Sequence, residues 1–237
     1  MNIPSVDNEM FYFVSAISVT SFGVIFCHYF AESSFVKKLL NSGHGEAKYI
    51  LFQRFLGVLV YGVIPVLIIM FSGTKSFDDF GVAAPVMETV FWTVIISILL
   101  ITVNYFNSRA PENLELYPQI RENIWSLQLI ILSATGWIAY LLSYEFLFRG
   151  FLLFSSISLL GLWPAIILNT AIYSLVHFPK GVKETIGAIP LGILLCYLTV
   201  RTGSIWIAVL THIIMALSNE WLSLRANPQM FIKIHWK

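Results

Sequence analysis

Ser143-Tyr144-Glu145-Phe146-Leu147-Phe148-Arg149-Gly150 places a carboxylate and a guanidinium four residues apart within an almost uninterrupted apolar run from Ile124 to Leu162. A charged side chain in hydrocarbon costs at least ~2.5–3.5 kcal/mol, so such residues are expected to be paired, turned away from lipid and functional. Because the acid precedes the base by four residues, both side chains can meet on one helix face. The pair therefore predicts an intramembrane polar site, and the alternative is a buried ion pair that only fixes helix packing.

The composition around this stretch sets the class of protein. Hydrophobic residues make up 57% of the chain and charged residues only 11%, which leaves too little polar surface for a soluble globular domain. The formal net charge of +1 and the lack of a basic cluster argue against a nucleic-acid partner. We therefore predict an all-α polytopic membrane protein whose principal partner is the lipid bilayer.

Six apolar segments besides the run at Ile124 are separated by polar loops. About 20 helical residues match the thickness of a bilayer core, so each is a candidate helix. The segments are Phe11–Phe30, Tyr49–Phe71, Met87–Phe106, Trp163–Phe178, Glu184–Val200 and Ser204–Leu222. Arg54 lies near the start of the second, where its long stem can snorkel to the interface. We predict one membrane domain over 1–237, with three spans in 11–106 and a functional core in 123–222.

The apolar run that begins at Ile124 is too long for one straight crossing. Its 38 or so residues would span roughly 57 Å as a helix. The run is therefore expected to break, bend or lie partly in the interface, with Gly136 and Ser143 as candidate positions for the break. A bundle of seven to eight transmembrane helices follows, depending on whether Ile124–Leu142 crosses separately.

The cationic residues distinguish the two topologies. With eight spans, Lys and Arg divide almost evenly between the two sides and give no orientation. With seven spans, only Lys75 and Arg201 lie on the side of the N-terminus, which the positive-inside rule then places outside. Apart from Arg149 inside the apolar run, the other eleven are Lys37, Lys38, Lys48, Arg54, Arg109, Arg121, Lys180, Lys183, Arg225, Lys233 and Lys237.

Further polar residues lie in the apolar C-terminal segments. Asn169, Tyr173 and His177 repeat every four residues, which is a polar stripe that suits a cavity better than lipid. His212 lies near the middle of the last segment, with Asn219 two turns further along the same side. A single buried histidine is more often a satisfied hydrogen-bonding group, but two histidines with Glu145 and Arg149 favour a site.

This set of residues suits peptide hydrolysis. A carboxylate and a histidine can share a water and deprotonate it, and a second histidine can donate to the oxyanion that forms. No GxSxG motif supports a serine nucleophile, and HExxH is absent. We predict no cofactor, although Glu145, His177, Glu184 and His212 leave a metal site open.

Three motifs in order resemble those of the CAAX-protease and bacteriocin-processing (CPBP, or Abi) family of intramembrane glutamic endopeptidases. They are Glu145-x-x-x-Arg149-Gly150, His177-Phe178, and Arg201-Thr202-Gly203-Ser204-Ile205-Trp206 leading to Leu210-Thr211-His212. The similarity covers roughly 137–222. It implies a bacterial inner-membrane endopeptidase that hydrolyses a membrane-associated peptide or protein, with Glu145, His177 and His212 as catalytic residues and Arg149 in support.

The chain departs from the family pattern at three positions. The first of two adjacent glutamates, which the family uses to activate water, is Tyr144; a usual phenylalanine is Tyr173; and an expected asparagine is Ala216. Glu145 or Glu184 is then the candidate acid, and Asn169 or Asn219 the candidate oxyanion donor. The alternative is a non-proteolytic relative that acts as a scaffold, a regulator or a transferase.

Overall fold

A computed structural model describes residues 6–41, 43 and 45–233, and these residues form a bundle of helices with one short two-stranded sheet. The predicted all-α polytopic membrane class is confirmed. The helices are α1 (Val6–Glu32), α2 (Ser34–Leu40), α3 (Ala47–Ser72), α4 (Met87–Asn107), α5 (Pro111–Leu116), α6 (Leu127–Leu160), α7 (Leu162–Val176), α8 (Val182–Thr202) and α9 (Trp206–Ala226). Strands β1 (Ile124–Ser126) and β2 (Phe231–Lys233) pair in parallel.

Six helices of the described chain are long and apolar enough to cross a membrane, namely α1, α3, α4, α6, α8 and α9. Helix α7 is shorter, about 22 Å for its 15 residues, yet it returns the chain from one end of the bundle to the other. At one end the Ile205 N–H donates to the Gly81 carbonyl, and at the other Lys183 lies 3.7 Å from Glu112. The described part of the chain therefore runs seven times from one end of the bundle to the other, six times as a long helix.

The apolar run at Ile124 does not break at Gly136 or Ser143. Ile124–Ser126 forms β1, and the Ser126 hydroxyl then accepts from the Leu129 N–H at 3.2 Å to cap α6. Helix α6 continues for 34 residues, about 51 Å, and ends at Gly161, whose φ is 79°. Its irregularity is a π-helical stretch at Phe146–Leu152, directly after Glu145. Ile124–Leu142 therefore does not cross as a span of its own, and the eight-span alternative was wrong.

Close packing of α3 against α6 fixes the middle of α6. A Cβ atom on Gly57 would lie 2.4 Å from the Tyr140 ring, and one on Gly62 would lie 2.6 Å from the Ser143 hydroxyl. Only glycine lets the two backbones approach this closely. The contact places Tyr144 and Glu145 at the centre of the bundle, where both are buried.

The expected snorkelling of Arg54 was wrong. Its side chain is 4% exposed and lies inside the bundle, because Glu220 of α9 and the ring of Trp137 provide it with partners there. Large hydrophobic side chains cover the outside instead, and Phe22, Phe71 and Met87 are each more than two thirds exposed. A surface of this kind is stable only against lipid, so the chain is an integral membrane protein.

The two ends of the bundle differ strongly in charge. The segments 33–46, 108–123 and 177–181 and the C-terminal residues after α9 form what we call the basic end. It holds six of the eleven cationic residues that the seven-span count places together; Lys48, Lys183 and Arg225 lie in the adjoining helix ends, and Lys237 lies outside the described residues. Segments 73–86 and 203–205 form the opposite end. Arg54 is the eleventh, and it lies further inside α3, with its side chain buried in the bundle.

Candidate active site

Glu145 lies at the junction between the regular part of α6 and its π-helical stretch, and its side chain is fully buried. One carboxylate oxygen, Oε1, accepts a hydrogen bond from Nδ1 of His212 at 2.5 Å. The other, Oε2, lies 3.3 Å from Nε of Arg149. The predicted Glu145–Arg149 pair therefore exists, and the same carboxylate also holds an imidazole from α9.

Arg149 is fully buried and joins α6 to α7. Its guanidinium lies 4.0 Å from the centre of the Tyr173 ring, which is a cation–π contact. Within the described residues none of its nitrogen atoms makes a hydrogen bond, so Glu145 and the Tyr173 ring supply its electrostatic partners. Because arginine stays protonated, it can hold a carboxylate in place but cannot transfer a proton.

His177 caps the end of α7, close to the basic end of the bundle. Its Nδ1–H donates to the Tyr173 carbonyl at 2.8 Å, which leaves Nε2 as a proton acceptor. The centres of the His177 and His212 rings lie 4.6 Å and 6.5 Å from that of Tyr173. Tyr173 therefore lies between the two imidazoles, which come from segments 35 residues apart in the sequence.

A cavity of about 580 Å³ lies between α4, α6, α7, α8 and α9, and both imidazoles line it. Tyr144 and Tyr173 also form part of its wall. Glu145 does not line the cavity but lies behind His212. The arrangement is that of an oriented imidazole: a buried carboxylate holds His212 through Nδ1, so that its other nitrogen, Nε2, is the one not held by Glu145.

The cavity has an apolar flank and a polar end. Helices α4 and α8 touch over only a short stretch, and their residues Leu99, Val103 and Leu194 line the cavity while remaining more than a third exposed to the outside of the bundle. Lys180 and Glu184, 3.6 Å apart, line the cavity at the basic end. The cavity is thus bordered by lipid-facing side chains on one flank and by charges at the aqueous surface.

The remaining predicted site residues divide between the cavity and the interior. Asn169 lies outside the cavity: its Nδ2 donates to the Phe148 carbonyl at 2.6 Å, and its Oδ1 accepts from Cys196. Asn219 lines the cavity, and the Ser223 hydroxyl donates to its Oδ1 at 3.4 Å. The α9 rise from His212 to Asn219 is about 10 Å, so the two side chains cannot bind the same oxyanion.

The phenol of Tyr144 has no hydrogen-bond partner among the described residues, although the residue is 3% exposed. Its ring packs between Tyr140, Phe148 and Tyr173 and lies 5.9 Å from the centre of the His212 ring. The position that carries a glutamate in the resembling family is therefore part of the cavity wall here, with an aromatic side chain instead of a carboxylate.

Sequence reasoning missed Tyr117 and Trp137, which also line the cavity. The Tyr117 hydroxyl accepts from Lys180 Nζ at 3.5 Å, and burial raises the pKa of this phenol, which keeps it protonated. Neither residue belongs to a motif, and no periodic pattern joins the segment around Tyr117 to α6. Lys180, which also lines the cavity, could have been found from the sequence because it lies three residues after His177. No group of three or more His, Cys, Asp or Glu side chains in the described ranges is arranged to hold a metal ion.

The part of the chain that forms the candidate site matches a known protein family. Residues 125–218 match the model of the family described as type II CAAX prenyl endopeptidase Rce1-like. The match contains Glu145, His177 and His212, and it confirms the resemblance that the three motifs predicted. At the level of the family it implies a CAAX-type intramembrane protease. No curated protein and no solved structure matches the chain.

Proposed function

We propose, from the premise that residues 125–218 are of the CAAX endopeptidase type, that the protein hydrolyses a peptide bond of a membrane-associated substrate. The observation that carries the proposal is the placement of His177 and His212 on the wall of one intramembrane cavity, with buried Glu145 bound to the second. Two imidazoles and one carboxylate suffice for general acid–base catalysis of water addition.

The two imidazoles take different roles in this proposal. Nε2 of His177 accepts a proton from water while the water oxygen adds to the peptide carbonyl carbon. His212, held through Nδ1 by Glu145, donates from Nε2 to the oxyanion of the tetrahedral intermediate. The C–N bond then breaks, and the proton on His177 passes to the leaving amine. Glu145 orients His212 and stabilises its charge without contacting the water, and Arg149 holds Glu145.

The walls of the cavity indicate the kind of substrate. An opening between α4 and α8 would admit a hydrophobic or lipid-modified segment from the bilayer, and the matched family is described as prenyl endopeptidases. The polar end with Lys180 and Glu184 would receive the adjoining hydrophilic peptide. We propose that the protein lies in a bacterial inner membrane, with the basic end in the cytoplasm.

One observation favours a non-proteolytic role as a scaffold, a regulator or a transferase. Tyr144 occupies the position of the family's water-activating glutamate, and Glu145 does not line the cavity. The carboxylate that does line the cavity is that of Glu184, which belongs to α8 rather than α6 and lies 3.6 Å from Lys180. Under this alternative the cavity would bind a membrane peptide without cleaving it.

Proteolysis in liposomes separates the two functions. The purified protein is mixed with a library of membrane-inserted fluorogenic peptides that carry a lipidated cysteine near the C-terminus. We expect cleavage of at least one peptide, lost on His177→Ala or His212→Ala by a factor of about 10³ or more. His28→Ala is the matched control, because His28 lies on the exposed side of α1. Binding of the peptides without cleavage would favour the alternative.

A further inference from the structure

We infer that Arg54 and Glu220 are positioning residues that set the shape of the cavity near its basic end. The inference deepens the proposed function, since it treats this cavity as the substrate site. Neither residue belongs to any of the three motifs, and neither lines the cavity. Both are buried, with 4% and 0% of their surface exposed, and they join α3 to α9.

Arg54 contacts three residues besides its ion-pair partner Glu220. Its Nη1 donates to the Ser133 carbonyl at 2.8 Å and to the Ser133 hydroxyl at 3.1 Å, while Nη2 donates to Gln119 Oε1 at 3.2 Å. The guanidinium also lies 4.2 Å from the centre of the Trp137 ring. The planar fork of arginine can make all of these contacts together, whereas a lysine ammonium cannot.

Glu220 completes the cluster from the other side. Its Oε1 lies 3.7 Å from Arg54 Nη2 and accepts from the Ser133 hydroxyl at 3.2 Å. Its Oε2 accepts from the backbone N–H of Gln119 at 3.2 Å. Gln119 is therefore held twice, by its backbone through Glu220 and by its side chain through Arg54.

The residues that Arg54 and Glu220 contact are themselves part of the cavity wall or close to it in the sequence. Trp137 lines the cavity and lies against the Arg54 guanidinium, and Tyr117, two residues before Gln119, lines it as well. Tyr117, Trp137 and Ala216 pack against one another in one apolar cluster. Two wall residues from different segments thus take their positions from one buried ion pair outside the cavity.

A purely stabilising pair behaves differently from a positioning pair under substitution. Apolar residues of similar size often replace a buried ion pair with no loss of stability. The double variant Arg54→Met with Glu220→Leu is therefore expected to fold, but it can neither hold the Gln119 amide nor cover Trp137 with a cation. A change of cavity shape in a folded double variant is the result that packing alone does not predict.

Thiol labelling measures that change without reference to catalysis. Ala216→Cys places a reporter against Tyr117 and Trp137 in a full-length protein that also carries Cys27→Ala and Cys196→Ser. Inverted vesicles expose the basic end to a charged, membrane-impermeant maleimide. We expect Glu220→Gln and the double variant to change the labelling rate about tenfold, since labelling follows the population of open conformations. Glu220→Asp keeps the carboxylate and should stay within about threefold of the parent.

The matched control is Glu9→Gln, which breaks a partly buried ion pair with Lys75 at the opposite end and should leave the labelling rate unchanged. If Glu220→Gln does not fold, the double variant carries the test. Labelling rates equal to the parent in a folded double variant would overturn the inference. Where a cleaved peptide is known, the double variant should raise KM about tenfold with kcat within about threefold. If no peptide is cleaved, the proposed function fails while the labelling result still decides this inference.

Discussion

Glu145 is the residue whose role changes most between sequence and structure. The helical spacing predicted its pairing with Arg149, because positions four apart lie on one face. Spacing carries no information about His212, which lies 67 residues further along the chain and reaches Glu145 only through packing of α9 against α6. Glu145 therefore acts in our account through His212 rather than on water directly.

Replacement of Glu145 tests this role. Glu145→Gln should lower kcat by about 10²–10⁴, since an amide cannot favour the imidazolium of His212 as a carboxylate does. The variant also leaves Arg149 unpaired in the interior, at a cost of about 3–5 kcal/mol in stability. The double variant Glu145→Gln with Arg149→Met should recover the unfolding temperature in detergent but not the cleavage rate. Recovery of both would mean that the pair only supports packing.

Tyr144→Phe is expected to have little effect. The phenol has no hydrogen-bond partner among the described residues, so its removal should change the free energy of unfolding by no more than ~1 kcal/mol. Peptide cleavage should stay within about threefold, because in the proposed mechanism His177 transfers the proton and His212 stabilises the oxyanion. The measurement is a cleavage assay beside thermal unfolding. A loss of two orders of magnitude in a stable protein would instead assign Tyr144 a direct role.

Other residues show where single-sequence reasoning ends. Asn169, Tyr173 and His177 do lie on one helical stripe, yet packing against the π-helical stretch directs Asn169 to the Phe148 carbonyl, away from the cavity. Arg54 was expected to snorkel to the interface, because it lies near the start of an apolar segment and has a long stem; its partner Glu220 lies on the last helix. Roles that depend on contacts between distant segments are not encoded in local spacing.

Among the elements, α6 carries Glu145 and Arg149 together with the cavity residues Trp137 and Tyr144. The apolar run was expected to break, bend or lie partly in the interface; instead, strand β1 takes its first three residues and one continuous helix of 34 residues follows. The π-helical stretch Phe146–Leu152 shifts the side chains that follow Glu145 relative to a regular helix. No residue pattern marked this stretch as π-helical in advance, because it contains no proline.

Asn169 of α7 donates a hydrogen bond to the π-helical stretch, so replacement of Asn169 should destabilise that stretch. Asn169→Ala leaves the Phe148 carbonyl without its side-chain donor and should destabilise the protein by about 1–3 kcal/mol in thermal unfolding. Asn104→Ala provides a control, since Asn104 also donates to a backbone carbonyl, that of Met215, but at a half-exposed position. Equal effects of the two substitutions would show that the π-helical stretch does not depend on Asn169.

For the molecule as a whole, composition predicted the class, and the span lengths left seven or eight passes open, because bilayer thickness fixes how long an apolar helix must be. The positive-inside count could be interpreted only once the run at Ile124 was known to cross once. An opening of the cavity between α4 and α8 could not be predicted from the sequence, since it depends on how closely these two helices approach each other. The division into 11–106 and 123–222 remains a prediction.

Orientation can be measured with two exposed reporters in a protein carrying Cys27→Ala and Cys196→Ser. Lys183→Cys lies at the basic end and Asp78→Cys at the opposite end, and both positions are exposed. In intact bacterial cells an impermeant maleimide should label only Asp78→Cys, whereas inverted vesicles should label Lys183→Cys, as the excess of cationic residues requires. Labelling of Lys183→Cys in intact cells would reverse the orientation.

The most direct test of the central claim is cleavage of a lipidated membrane peptide in H₂¹⁸O by the purified protein in liposomes, followed by mass spectrometry. If His177 activates a water molecule and His212 stabilises the oxyanion, each new carboxyl group carries one ¹⁸O atom, and His177→Ala and His212→Ala form product at least about 10³ times more slowly. Product formed at the same rate by both variants, or a peptide that binds and stays intact, would contradict the account.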